Sequence, residues 1–204
     1  MASQRSVPFA VTWDYRCPFA RNVHEHILDG LQGGAPWDVR FVPFFLDQPH
    51  AADDDPPVWQ DPDHRQALLA LAAGVVVRDR FPEHFLRAHR ALFAARHDDG
   101  ADLRDPEVVG AALERAGVDQ ISVLAEVDRG APTEVVRREH EQVAGELDVF
   151  GVPTFILGDD AAFVRLMTRP NGDTALARST IDRILRLIGD QPEVNELKHT
   201  RTSR

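Results

Sequence analysis

A split order of secondary-structure signals restricts the fold of this chain more than any other feature. Residues 7–13 and 37–46 are rich in strand formers, and between them a helical apolar spacing runs from Pro18 to the glycines at 30–34. Near the other end, residues 152–157 and 162–166 flank a Gly-Asp-Asp turn and predict a hairpin, and a helix capped by Asp173 or Thr174 follows. The chain therefore opens as strand–helix–strand and closes as strand–strand–helix.

The stretch between these two halves carries helical signals only. Residues 47–62 hold three consecutive aspartates and several prolines, which predicts a linker or surface loop. Beyond it, about four or five helices are expected, with clear starts at Asp105-Pro106-Glu107 and Pro132-Thr133-Glu134. We predict an α/β thioredoxin fold in two parts, residues 1–50 and 148–204, with an all-helical insertion at 51–147.

Composition narrows the class of protein. The 204 residues include 23 basic and 33 acidic side chains, and the net charge of -10 disfavours nucleic acid as a partner. A single cysteine cannot form an internal disulfide, so a disulfide-stapled secreted fold is excluded. No stretch approaches the roughly 18 apolar residues of a membrane span, so we expect no membrane partner and a cytoplasmic location.

The one cysteine has a position that favours reactivity. Cys17 directly precedes Pro18, and this places it at the cap of the first helix. Unpaired backbone N–H groups and the positive end of the helix dipole stabilise a thiolate there. We therefore expect Cys17 to be partly accessible, with a thiol pKa below the reference of about 8.5. In most cytosolic proteins a lone cysteine is instead a small buried hydrophobe.

A second motif lies at the start of the predicted hairpin. Gly151-Val152-Pro153-Thr154-Phe155 places a proline where a strand begins, a setting in which a cis X-Pro bond has a low cost. A cis Val152–Pro153 bond would present the Val152 backbone to a bound thiol or peptide. We expect this loop to lie beside Cys17, because both strand ends meet at the same edge of the sheet.

Together the two motifs resemble those of a known family. The segment Asp14-Tyr15-Arg16-Cys17-Pro18-Phe19-Ala20 is similar to the D-x-x-C-P-[YFW]-C turn of DsbA-type thioredoxin-fold oxidoreductases. The segment 151–155 is similar to the G-[VT]-P-[TA]-F cis-proline loop of the same family. The resemblance covers roughly residues 7–190, since the helical insertion lies where that family has one.

One departure from the family changes the expected chemistry. Ala20 stands where dithiol members have their second cysteine, so an intramolecular disulfide cannot form. The resemblance then implies a one-thiol oxidoreductase, in which Cys17 forms a mixed disulfide that an external thiol resolves. It implies Cys17 as the catalytic residue, and as substrate- or thiol-binding residues Asp14, Tyr15, Pro18, Phe19, Val152, Pro153 and Thr154. Tyr15 and Phe19 are expected either to line an apolar substrate groove or to belong to the core, where aromatic residues at a strand end usually lie.

Two other functions stay open on the sequence. The same superfamily includes the 2-hydroxychromene-2-carboxylate isomerase and kappa-class transferase group, in which a serine near this turn activates the thiol of a bound cofactor. The third alternative is a non-catalytic protein that binds peptides or small ligands in the same groove. The expected partner is a small thiol or disulfide, such as one from glutathione or mycothiol, or a protein thiol. No tightly bound cofactor is expected, and the chain is expected to be a monomer or homodimer.

The nine histidines give no metal-binding pattern. His24 and His26 are two residues apart on a helix and point to different faces. His84 and His89 are five apart and are expected to be solvated. None has the paired spacing of a zinc site, so no metal is predicted.

Overall fold

The computed structural model describes residues 6–48, 58–60 and 64–201 of the chain. The predicted linker at 47–62 lies largely outside these residues, and so does its run of aspartates at 53–55. Within the described part, no helix has the length and apolarity needed to span a bilayer.

The order of elements follows the split pattern of the sequence. The first half comprises strand β1 (Val7–Trp13), helix α1 (Pro18–Gln32) and strand β2 (Trp37–Pro43). The last half comprises strands β3 (Thr154–Leu157) and β4 (Asp160–Phe163) and helix α8 (Thr174–Asp190). Between them lie a 3₁₀ turn (Val58–Gln60) and the helices α2 (His64–Ala67), α3 (Leu69–Arg80), α4 (Pro82–His97), α5 (Pro106–Arg115), α6 (Gln120–Asp128) and α7 (Ala131–Leu147).

The described strands form one four-stranded sheet in the order β2-β1-β3-β4. β2 runs parallel to β1 in register from Val7↔Trp37 to Trp13↔Pro43, and the α1 crossover makes this parallel pairing possible. β3 is antiparallel to β1, with Val11 opposite Phe155, and β4 forms the hairpin with β3. The end of β1 and the start of β3 are therefore neighbours, which brings the two sequence motifs together.

The core is continuous between the sheet and the helical insertion. Helices α1 and α8 pack on each other, and α3 packs against α4, α6 and α7. Val11 and Trp13 of β1 are fully buried, and so are Leu92 and Phe93 of α4. Because α4 also contacts α1, the insertion covers part of the thioredoxin half.

Helix α6 and the second hairpin strand show the clearest departures from the predicted elements. Helix α6 (Gln120–Asp128) was not located from the sequence; its apolar spacing is weak, and only Val123 is buried within it. The second hairpin strand covers Asp160–Phe163 instead of 162–166, because the turn after Leu157 needs only Gly158 and Asp159. Gly158 has a φ of 61°, the left-handed conformation that glycine adopts without strain.

Candidate functional site around Cys17

Cys17 caps helix α1 at the end of the turn that leaves β1. Its backbone is extended, with φ −87° and ψ 119°, and its sulfur accepts a hydrogen bond from the Ala20 N–H at 3.4 Å. Pro18 follows as the first helical residue, where its missing N–H leaves no bond unmade. The cap predicted from Cys17-Pro18 is thus present.

The Val152–Pro153 loop lies against the same sulfur. This peptide bond is cis, and the Cys17 thiol donates to the Val152 carbonyl oxygen, with 3.5 Å between the two atoms. The two residues are 135 positions apart in the chain, and the pairing of β1 with β3 brings them together. Cys17 therefore holds two backbone contacts, one as acceptor at its own helix and one as donor across the sheet.

Buried hydroxyl groups fix the loop on β1. The Thr12 hydroxyl donates to the Gly151 carbonyl at 3.2 Å and accepts from the Thr154 N–H at 2.9 Å. The Thr154 hydroxyl donates to the same Gly151 carbonyl at 2.9 Å. Because both threonines are buried, these bonds give their hydroxyl groups, the Gly151 carbonyl and the Thr154 N–H the partners that burial requires. They hold the Val152 carbonyl where the thiol meets it.

Burial gives Cys17 a different acidity from the one expected. The residue is only 8% exposed, and loss of solvation raises the pKa of its thiol. The backbone N–H groups of Ala20 and Phe19 and the charge of Arg165 lower this pKa, while Asp14 raises it, and the net direction is upward. The prediction of an accessible thiol with a lowered pKa was therefore wrong. A helix cap favours the thiolate, but here the loss of water outweighs it.

Asp14 and Arg16 brace the turn on its other side. The Asp14 carboxylate is buried and accepts from the backbone N–H groups of Arg16 and Leu46, at 2.9 and 3.1 Å. The Arg16 guanidinium donates to Asp14 at 2.8 Å and to Asp47 at 2.8 Å. The Asp14 carboxylate is held by the backbone N–H groups of Arg16 and Leu46 and by the Arg16 guanidinium. Asp14 therefore positions the turn that carries Cys17.

Tyr15 begins a buried hydrogen-bonded chain that reaches into the helical insertion. Its hydroxyl lies 2.8 Å from Nδ1 of His89 on α4, and His89 Nε2 lies 2.9 Å from Nδ1 of His24 on α1. His24 Nε2 then lies 3.1 Å from the carbonyl oxygen of Thr12. Tyr15, His89 and His24 are each at most 1% exposed.

The direction of every proton in this chain follows from its last member. The Thr12 carbonyl can only accept, so His24 Nε2 carries its hydrogen, and in a neutral ring Nδ1 is then the acceptor. His89 Nε2 must donate to that atom, which leaves His89 Nδ1 to accept from the Tyr15 hydroxyl. Burial lowers the pKa of His24 to about 4 and that of His89 well below its usual value, consistent with two neutral rings.

Known proteins share the domain that carries this site. The profile of the DSBA-like thioredoxin domain matches residues 11–170, a span that includes both motifs and the helical insertion. The chain belongs to the DsbA-like thioredoxin domain family. A search among curated protein sequences gives no match.

Solved structures share this DsbA-like fold at low sequence identity. A 2-hydroxychromene-2-carboxylate isomerase has 17% identity and a TM-score of 0.58, covering 90% of this chain and 98% of that chain. A probable DsbA oxidoreductase from Streptomyces coelicolor has 18% identity and a TM-score of 0.58, covering 86% and 90%. The thiol-disulfide oxidoreductase MdbA from Actinomyces oris has 17% identity and a TM-score of 0.60, covering 85% and 80%.

The predicted site residues of this DsbA-like domain divide by exposure. Pro18 is exposed and Phe19 is half-buried, so both are open to a ligand. Asp14, Tyr15, Val152, Pro153 and Thr154 are buried. Among these, Tyr15 lines no open groove, because its ring is 1% exposed and its hydroxyl is taken by His89. Its position makes it a support of the turn.

Sequence reasoning missed the histidines that hold Tyr15. His89 was expected to be solvated, but it is fully buried, so that expectation was wrong. It lies four residues after Phe85 and three and four before Leu92 and Phe93, which is the apolar face of α4. Its place in that spacing is the signal that could have identified it as a core residue. His97, two turns further on, donates to the Tyr15 carbonyl at 2.9 Å, so α4 holds Tyr15 at both ends.

Proposed function

We propose that this protein is a thiol-disulfide oxidoreductase that works through Cys17 alone, with a low-molecular-weight thiol as co-substrate. The observation that carries the proposal is the placement of the Cys17 sulfur between the Ala20 N–H and the Val152 carbonyl. The described residues contain one free cysteine and no disulfide, and Ala20 occupies the position one helical turn on. The cytoplasmic setting expected from the sequence would supply the second thiol.

The proposed cycle has two exchange steps. In the first, the Cys17 thiolate attacks a sulfur of a disulfide, an S–S bond forms to Cys17, and the departing thiolate takes up a proton. In the second, a thiolate of the co-substrate attacks the mixed disulfide, a new disulfide leaves, and Cys17 is restored. Electrons pass from the co-substrate to the first disulfide, and no other oxidant or reductant is needed.

The raised thiol pKa sets the pH dependence of this cycle. At neutral pH the thiolate fraction of Cys17 is small, and it grows as pH rises towards the pKa. A more basic thiolate is also the better nucleophile, which offsets part of that loss. The rate of the first step should therefore increase with pH through the neutral range.

One contact supports a second candidate, a thiol-cofactor-dependent transferase or isomerase. In the resting protein the Cys17 side chain is a hydrogen-bond donor, to the Val152 carbonyl. A donor at this point could orient the thiol of a bound cofactor, which would then attack a small electrophile. In that reaction a hydroxyl at position 17 would serve as well as a thiol.

Three proteins distinguish these functions: the wild type, Cys17→Ser and Ala20→Cys. With a small disulfide, intact mass should show one adduct on the wild type and none on Cys17→Ser. Turnover should saturate with the external thiol and vanish in Cys17→Ser. Ala20→Cys should depend less on that thiol, because a resolving sulfur then lies one helical turn away. Activity towards an electrophile that survives Cys17→Ser would instead establish the transferase or isomerase function.

A further inference from the structure

An exposed aromatic surface lies beside the Cys17 site. Phe150 is 66% exposed and Phe163 is 37% exposed, and their ring centroids are 5.2 Å apart. The Val164 N–H donates to the Pro153 carbonyl at 3.1 Å, which ties the end of β4 to the cis-proline loop. Phe19, two residues after Cys17, completes this surface from the first turn of α1.

Arg165 crosses this surface as an exposed cation. Its guanidinium carbon lies 5.2 Å from the ring centroid of Phe19 and 5.8 Å from that of Phe163. It therefore bridges the helix that carries Cys17 and the segment that follows β4. Stacking on two rings restrains the Arg165 side chain before any ligand binds. Less side-chain entropy is then lost when a ligand binds to it.

No carboxylate of the described residues pairs with Arg165, in contrast to the other arginines around the start of α1. Arg16 is paired with Asp14 and Asp47. Arg21 and Arg169 are paired with Glu25 and Asp98. Among the described residues Arg165 contacts the two rings and acts electrostatically on Cys17, and none of them forms an ion pair or hydrogen bond with its guanidinium. A guanidinium with its donors free, next to a thiol, is suited to bind a carboxylate through paired N–H groups.

We propose that Arg165, held over Phe19 and Phe163, binds a carboxylate of the low-molecular-weight thiol or disulfide that reacts at Cys17. This inference rests on the proposed function and names the class of its co-substrate, an anionic thiol such as glutathione. The net charge of -10 would otherwise favour cationic compounds, so a preference for an anion must come from a local cation. Phe150 and Phe163 would cover the apolar part of the same molecule.

The test compares the rates at which two disulfides modify Cys17. Oxidised glutathione carries carboxylates, and hydroxyethyl disulfide is neutral. The measured quantity is the rate of adduct formation with oxidised glutathione divided by the rate with hydroxyethyl disulfide. Arg165→Gln should lower this ratio about three- to fivefold, the effect of one exposed ion pair. Arg40→Gln, which removes an exposed arginine from β2 at the far edge of the sheet from β4, should leave the ratio unchanged. An equal fall of both rates in Arg165→Gln would overturn the inference, since Arg165 would then act only through the acidity of Cys17.

A second measurement separates this inference from the proposed function. S-methylglutathione has the carboxylates but no exchangeable sulfur, and its binding can be titrated by isothermal calorimetry at low ionic strength. Weaker binding to Arg165→Gln than to Arg40→Gln supports the carboxylate site, even if the wild type forms no adduct and the exchange function fails. Equal binding to the two variants refutes the site, even if Cys17 exchanges disulfides.

Discussion

Helices α1 and α5 begin in the same way but in opposite surroundings. Cys17 caps α1 with φ −87° and ψ 119°, and Asp105 caps α5 with φ −85° and ψ 119°; a proline follows each cap. The Asp105 carboxylate is exposed and accepts from the Glu107 N–H at 2.8 Å, whereas the Cys17 thiol is buried. The same backbone thus offers N–H groups to both caps, but Asp105 meets solvent and Cys17 is buried against the Val152 carbonyl. The pair shows that a helix start does not by itself make a thiol acidic.

The burial of Cys17 depends on the packing of its turn, which the hydrogen bonds from Tyr15 through His89 and His24 hold in place. Removing His89 should loosen that turn. His89→Leu removes the partner of the Tyr15 hydroxyl and of His24 Nδ1 at once. Two buried polar groups lose their partners, so the free energy of unfolding should fall by about 2–5 kcal/mol. Urea unfolding measures this change, and Cys17 should also become more reactive towards iodoacetamide.

His84→Leu is the matched control, on the same helix. His84 is half-exposed and contacts the Ala116 carbonyl at 3.2 Å, where water can replace it. This variant should lose less than about 1 kcal/mol. Similar losses in the two variants would mean that the chain from Tyr15 to Thr12 does not support the turn.

The sequence showed what is local in this site and missed what is not. Cys17-Pro18 and Asp105-Pro106 announce helix starts by their own residue types, and both helices begin where expected. The thiol of Cys17 contacts Val152, which lies 135 residues away, and its acidity depends on how much water the packing leaves. Spacing along the chain carries no measure of that exclusion.

The same limit explains the error at His89. A polar residue type predicts solvent exposure on average, and the apolar residues around it predict the core. The apolar surroundings decided the outcome, because His24 on α1 gives the buried His89 ring a hydrogen-bond partner. That partner could not be identified before the packing of α4 on α1 was known.

The buried neutral histidines should make the free energy of unfolding fall at low pH. The pKa of His24 is about 4 in the folded protein against 6.5 unfolded, so the unfolded chain binds the proton more readily between these values. Stability is then complete above about pH 6.5 and is lost as pH falls towards 4. At about pH 5 the loss from His24 alone should be about 2 kcal/mol. His140, whose pKa burial also lowers to about 4, adds to it.

Urea midpoints at about pH 7.5 and pH 5 measure this dependence. His24→Gln keeps a donor and an acceptor at position 24 but does not titrate, so its stability should fall less between the two pH values. If the wild type and His24→Gln lost the same stability, His24 would not be held neutral in the folded state.

The smallest expected effect is the most direct comparison of the two helix starts. Asp105→Cys in a Cys17→Ser background places a thiol at the exposed cap of α5, where the N–H groups act without the loss of solvation. Its pKa should be lower than that of Cys17 in the wild type, which burial raises. At about pH 7 its reaction with iodoacetamide should be faster, because a larger fraction of the exposed thiol is thiolate. Adding Glu107→Gln removes an acidic neighbour from the first turn of α5 and should widen the difference. If Cys17 reacted as fast as the thiol on α5, burial would not control its acidity, and the helix start would suffice after all.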